Sequence, residues 1–150
     1  MTNRSVLLPP GYLLIAIVIM LALHFSFPME ALLYYPLNLA GAIPLLVGII
    51  LNIMADKLFK QHNTTVKPFQ ESSALITSGT YRICRHPMYL GMVFILLGLA
   101  VLLGSWLSFL VLPVFAVVME LRFVRVEERM LEQKFGKSWL AYKQRVRRWI

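Results

Sequence analysis

A single cysteine, Cys84, stands in this chain of 150 residues, so neither an intrachain disulfide nor a cysteine metal cluster can form. Acidic residues are scarce: 7 Asp and Glu face 15 Lys and Arg, a formal net charge of +8. Charged residues make up only 15% of the chain and apolar ones 59%, with a mean hydropathy of +0.70. A soluble domain of this size leaves too much surface exposed to hide that apolar content, so lipid must cover part of it. GxGxxG, Walker, HExxH and GxSxG patterns are missing, so neither a nucleotide-binding fold nor a hydrolase is signalled. No acid or base sits in the middle of an apolar run, which argues against an ion-coupled transporter. The basic residues flank apolar runs, as at anionic headgroups, and nucleic acid is not an expected partner. Internal repeats and low-complexity segments are absent as well.

What is present is apolar length. A membrane helix needs about 20 residues, within a range of about 17–25. Residues 7–27 and 37–55 each meet it, the first reading as an uncleaved signal anchor because no small-residue cleavage site follows it. Met88 to Met119 carries no charge and as one helix would reach nearly 50 Å at about 1.5 Å per residue, too long for a core of about 30 Å. Gly104-Ser105 near its middle predicts a hairpin of two short spans, 88–103 and 106–119, tilted or set in thinned bilayer. The expectation is an all-α integral membrane domain over residues 1–150, with four transmembrane helices and amphipathic C-terminal helices. Arg4, Lys57, Lys60, Lys67, Arg82, Arg85 and the nine basic residues from Arg122 to Arg148 then all fall on one side. The positive-inside bias makes that side cytosolic, with both termini, the loop 56–87 and the tail 120–150.

Local signals refine this layout. Pro44 and Pro113 are expected to kink their helices, and Asn52 and Asp56 to cap the second span. Gly91 and Gly98, seven apart, allow close contact within the hairpin. Gly136 ends one tail helix and Ser138 can cap the next. On that last helix Trp139, Tyr142, Val146 and Trp149 oppose Lys143, Arg147 and Arg148, a face for headgroups or for the membrane-proximal loop.

Chemistry concentrates in two places. In Gly79-Thr80-Tyr81-Arg82-Ile83-Cys84-Arg85-His86-Pro87-Met88-Tyr89-Leu90-Gly91, Pro87 suits a helix first turn, whose free N–H groups beside Arg85 and His86 could seat a carboxylate. The same residues could equally anchor the helix to phosphate headgroups. The second place is Glu127-Glu128. Adjacent helical residues point about 100° apart, so one carboxylate could face a site while the other pairs with Arg125 or Arg129. A solvated charged face is the other reading of that pair.

Taken together, the two clusters resemble the isoprenylcysteine carboxyl methyltransferase and phospholipid methyltransferase group of integral membrane enzymes. The match runs from about Leu75 to Ile150, roughly half the chain. It rests on Leu75-Ile76-Thr77-Ser78-Gly79-Thr80-Tyr81, then Arg85-His86-Pro87-Met88-Tyr89-Leu90-Gly91. After the hairpin it continues with Glu127-Glu128, Leu131, Phe135-Gly136, Trp139, Tyr142 and Val146. The resemblance implies S-adenosylmethionine as cofactor, bound without a Rossmann domain by Leu75, Ile76, Tyr81, His86, Pro87, Met88, Tyr89 and Glu127. It implies a lipidic or prenylated acceptor arriving through the bilayer, with Arg85, Glu128 and Arg125 as candidate catalytic residues. A substrate-contacting arginine of carboxyl methyltransferases falls here on Phe123, with Arg122 and Arg125 close by. Beside carboxyl O-methylation stand phospholipid N-methylation and a non-catalytic membrane scaffold; the sequence leaves the acceptor and the oligomeric state open.

Overall fold

Proline marks where two of the helices begin. Pro9 and Pro10 open α1 (Pro9–Ser26) and Pro87 opens α3 (Pro87–Leu103), at positions whose N–H would lack an intrahelical partner anyway. The structure is a computed structural model describing residues 7–27, 32–62 and 74–150. Arg4, Lys67 and the connection around Pro28 and Glu30 lie outside the described residues. A 3-10 turn, Leu37–Gly41, leads into α2 (Ala42–Gln61). After α3 come α4 (Trp106–Met119), a π-helical turn (Glu120–Val124), α5 (Arg125–Phe135) and α6 (Lys137–Arg145). Among the described residues there is no strand.

The hairpin forms where expected. Gly104 ends α3 at φ +63°, its carbonyl accepts the Leu32 N–H at 2.7 Å, and α4 starts two residues later. Among the described residues three stretches are long and apolar enough to cross a membrane: Pro9–Ser26, Leu37–Gln61 and Trp106–Phe135. α3, at 17 residues, is shorter and would rise about 26 Å at about 1.5 Å per residue. The fourth helix does not stop at the membrane boundary expected near Met119. The π turn carries it directly into α5, giving 30 continuous residues.

Lipid is the natural partner for the outer faces. Leu14, Val18, Ile43, Leu46, Ile50, Ile53, Val114 and Val117 are all exposed, the reverse of a water-soluble protein. Inside, Met20 of α1, Tyr89, Met92, Leu96 and Ala100 of α3, Phe115 and Met119 of α4, and Phe123 and Val124 make the main core.

Two glycine pairs bring α2 and α3 together antiparallel. A methyl added to Gly41 would lie 2.5 Å from the Gly98 carbonyl, and one on Gly91 would lie 2.8 Å from the Gly48 carbonyl. Contact this close needs small residues, because in lipid packing rather than water expulsion holds helices together. The expectation that Gly91 and Gly98 serve the hairpin is corrected: they face α2.

Other local expectations also change. α2 runs past Ala55, so Asn52 and Asp56 are not caps: Asn52 Nδ2 donates back to the Gly48 carbonyl at 2.9 Å, and Asp56 pairs with Lys60 at 2.6 Å. Pro44 falls in the first turn of α2, where it removes no intrahelical hydrogen bond and has no reason to kink the helix. Gly136, at φ +47°, does end α5, but it also precedes α6 directly, and Ser138 lies inside that helix rather than capping it.

Candidate functional site

The residues leading into α3 are drawn inward by three ties. Tyr81, on a 3-10 turn (Gly79–Arg82), packs with Ala55 and Ile76, and its ring meets Phe59 edge-on at 5.7 Å. Its carbonyl accepts the Tyr142 hydroxyl at 2.7 Å. The Arg85 N–H donates to the Arg147 carbonyl at 2.9 Å. α6 therefore packs on the loop, the second of the two expected uses of its aromatic face, with Trp139, Tyr142 and Val146 enclosing Leu75, Leu131 and Phe135. Trp149 departs from that group and packs against the main core, because helix α6 stops at Arg145 and Val146 is extended.

These ties bury His86 between both carboxylates. Its Nδ1 lies 3.6 Å from Glu127 Oε2 and its Nε2 lies 3.3 Å from Glu128 Oε1. The divergence of adjacent helical side chains, which seemed to exclude a shared partner, is spanned by an imidazole with a nitrogen on each edge. The Tyr89 hydroxyl donates to Glu127 Oε1 at 2.5 Å. Glu128 is held more completely. Arg148 gives it two bonds, Nε to Oε1 at 3.1 Å and Nη2 to Oε2 at 2.6 Å, and Arg85 Nη2 approaches Oε1 at 3.4 Å. The pairing expected with Arg125 or Arg129 does not occur: Arg125 bonds Glu120 at 3.3 Å, and Arg129 Nε bonds the Arg125 carbonyl.

Arg85 has donors to spare. Its side chain is 7% exposed and lies 5.6 Å from the Trp139 ring, yet its Nε and Nη1 have no hydrogen-bond partner. A buried guanidinium with unmatched donors is costly and marks a place where an anion would be stabilised. Trp139 Nε1 and Thr80 Oγ1 are buried and unmatched too.

Burial alone would lower the His86 pKa, but hydrogen bonds and charge from Glu127 and Glu128 outweigh it and raise the pKa above the ordinary value. A raised folded pKa means that the stability contributed by the charged imidazole is complete below about pH 6.5 and is lost as pH climbs through the folded value. The thermal midpoint is therefore expected to fall as pH rises from about 6.5 through the folded value. His86→Gln, which cannot titrate, should flatten that limb, as scanning calorimetry of the detergent-solubilised pair would record. Cys84 takes no part: burial pushes its thiol pKa up, so it stays protonated and a poor nucleophile.

The structure thus unites Arg85, His86, Tyr89, Glu127 and Glu128. Tyr81 joins them at the phenol end, where the nearby Glu127 charge adds to burial in raising its pKa. Pro87 and Met88 follow on the first turn of α3, Met88 packing against the Tyr81 cluster that includes Ile76. Leu75 stands apart in a cavity of about 730 Å³ whose lining includes Arg82, Phe135, Tyr142 and Arg145 but neither His86 nor Glu127. Arg125 is also apart, with 57% of its side chain exposed. Arg148 and Glu120 were missed. Helical spacing put Arg148 on a solvated face. Among the described residues no cluster suits a metal ion.

Comparison with known proteins shows the family. A family model described as phospholipid methyltransferase matches residues 37–138, more than half of the chain. An uncharacterized protein of Haemophilus influenzae is 41% identical over 63 residues, 42% of this chain and 100% of its own length. Protein-S-isoprenylcysteine O-methyltransferase B of Arabidopsis thaliana is 38% identical over 80 residues, 51% of this chain and 39% of that enzyme. The solved structure of a eukaryotic intramembrane Ras methyltransferase, isoprenylcysteine carboxyl methyltransferase, superposes with a TM-score of 0.71 at 26% identity, covering 100% of this chain. The chain spans 54% of that solved protein, about half its length. An all-helical, membrane-type fold, the two sequence clusters meeting at His86, and a family match over the second, third and fourth apolar helices converge: the chain belongs to the phospholipid methyltransferase family.

Proposed function

We propose that this chain is a single four-span membrane domain with both termini in the cytosol. It transfers a methyl group from S-adenosylmethionine to a lipidic acceptor, most like isoprenylcysteine carboxyl O-methylation. The observation that carries the reading is the Glu127 carboxylate beside His86 together with the buried, unmatched Nε and Nη1 donors of the neighbouring Arg85. That is the donor and acceptor set that an amino-acid zwitterion requires. S-adenosylmethionine has such an end and supplies a methyl carbon made electrophilic by its sulfonium. Glu127 would hold the ammonium, and Arg85 with the first turn of α3 the carboxylate. Tyr81, Met88, Tyr89 and Ile76 offer aromatic and apolar surface beside them, suited to a sulfonium. Leu75 would contribute from the side of the cavity that it lines.

Alignment and exclusion of water are what remain for the protein to supply. A carboxylate acceptor is already ionised near neutral pH and needs no base. An ammonium acceptor must first lose a proton, and the local candidates are poorly placed to take it. His86 is already shared by both carboxylates, and Glu128 is engaged by two arginines. Carboxyl methylation is therefore the better fit, with exposed Arg125 offering a cation to an incoming carboxylate. Phe123, buried between the rings of Tyr12 and Tyr89 where a carboxyl methyltransferase carries arginine, is what keeps phospholipid N-methylation as the second reading.

Incubating the protein in liposomes with methyl-tritiated S-adenosylmethionine and either a farnesylcysteine or phosphatidylethanolamine separates the two. The expected product is a base-labile methyl ester. A base-stable methylamine would favour the second reading, and no labelled product with either acceptor, together with no cofactor binding, would leave a scaffold.

A further inference from the structure

The segment after α6 contributes to the site, although neither sequence cluster contains it. Arg148 donates through all three of its nitrogens: two to Glu128 and, through Nη1, one to Glu120 Oε1 at 2.7 Å. Glu120 opens the π-helical turn and Glu128 lies one turn into α5, so one guanidinium bridges the break between the two helices. Two flanking anchors fix it. The Arg147 carbonyl holds the Arg85 N–H, one residue before His86, and Trp149 packs into the main core.

We infer that Arg148 is a positioning residue for methyl transfer, acting through Glu128 to divide the labour of the two adjacent carboxylates. With Arg148 in place, Glu128 is neutralised and held against His86 Nε2 and Arg85 Nη2. Glu127 then keeps its charge, tied by the Tyr89 phenol and the longer contact to His86 Nδ1, for a cationic ligand. Without Arg148, both carboxylates compete for His86 and Arg85, and Arg85 is drawn toward a second buried charge instead of keeping its Nε and Nη1 open. A bidentate arginine fixes a carboxylate in plane, which an ammonium on a flexible stem does only in part. The inference rests on the methyltransferase reading for its consequence, but not for its structural core.

The test compares wild type, Arg148→Met, Arg148→Lys, Glu128→Gln and the Arg148→Met/Glu128→Gln pair in lipid nanodiscs. Two readouts are taken: the affinity for S-adenosylmethionine by calorimetry, and the ¹⁵N imidazole resonances of His86 without cofactor. Arg148→Met is expected to weaken binding about tenfold, equivalent to about 1.4 kcal/mol, and to shift the His86 resonances. Arg148→Lys should recover part of both, and the double variant should bind no worse than Glu128→Gln alone. Additive losses in that cycle, or unmoved His86 resonances in either folded Arg148 variant, would overturn the inference. If Arg148→Met does not fold, the lysine variant decides by the same two criteria. Absence of cofactor binding in wild type refutes the methyltransferase reading instead, and the catalytic consequence with it, while the His86 resonances still report whether Arg148 acts through Glu128.

Discussion

Glu128→Ala is expected to destabilise the protein by about 3–5 kcal/mol, the typical cost of removing one partner from a buried ion pair. The carboxylate is 6% exposed and receives Arg148 twice, Arg85 and His86. Its loss would leave Arg85, already short of two acceptors, without the one carboxylate at its Nη2. The substitution also unfastens Arg148 from one end of its bridge over the π turn. Thermal unfolding in detergent should show a midpoint lower by several degrees, with Glu128→Gln intermediate because its amide oxygen still accepts a hydrogen bond. A midpoint within a degree of wild type would mean that the cluster contributes little to the fold.

The neighbouring residue is expected to behave in the opposite way. Glu127 is 23% exposed and accepts the Tyr89 phenol, so Glu127→Gln keeps that bond and costs less stability than Glu128→Ala, losing chiefly its charge beside His86. What it removes is the charge that would face an ammonium. A hydrogen bond to a charged group contributes about 1.5–3 kcal/mol, which converts to a loss of about 10-fold to 100-fold in affinity for S-adenosylmethionine. Calorimetric titration of the folded variant measures it. Equal affinities would remove Glu127 from the cofactor site, whereas the paired outcome, stability from Glu128 and affinity from Glu127, would show two adjacent identical residues separated by environment alone.

The helices were largely legible because apolar length and proline position are local properties. Pro87 and Gly104 bracket α3 in the sequence as they do in the fold. The meeting of His86 with Glu127 was suggested by the two motifs, yet neither motif could show that both carboxylates reach the same ring. That depends on the depth to which α5 carries them, and depth is set by the π turn, which no residue between Glu120 and Val124 announces. Arg148 was hidden for a similar reason. Periodicity continued past Arg145 on paper, while the chain turned extended at Val146 and brought a supposedly solvated arginine inward. The glycines were recognised as contact points but matched to the wrong partner, since spacing gives a face and not the helix lying opposite.

A crystal or cryo-electron-microscopy structure with S-adenosylhomocysteine bound, the cofactor without its methyl group, tests the central claim most directly. Its ammonium is expected at the Glu127 carboxylate and its carboxylate at Arg85, with His86 between them. Density for the ligand in the groove bounded by Arg82 and Arg145, leaving Glu127 and Arg85 untouched, would contradict the account.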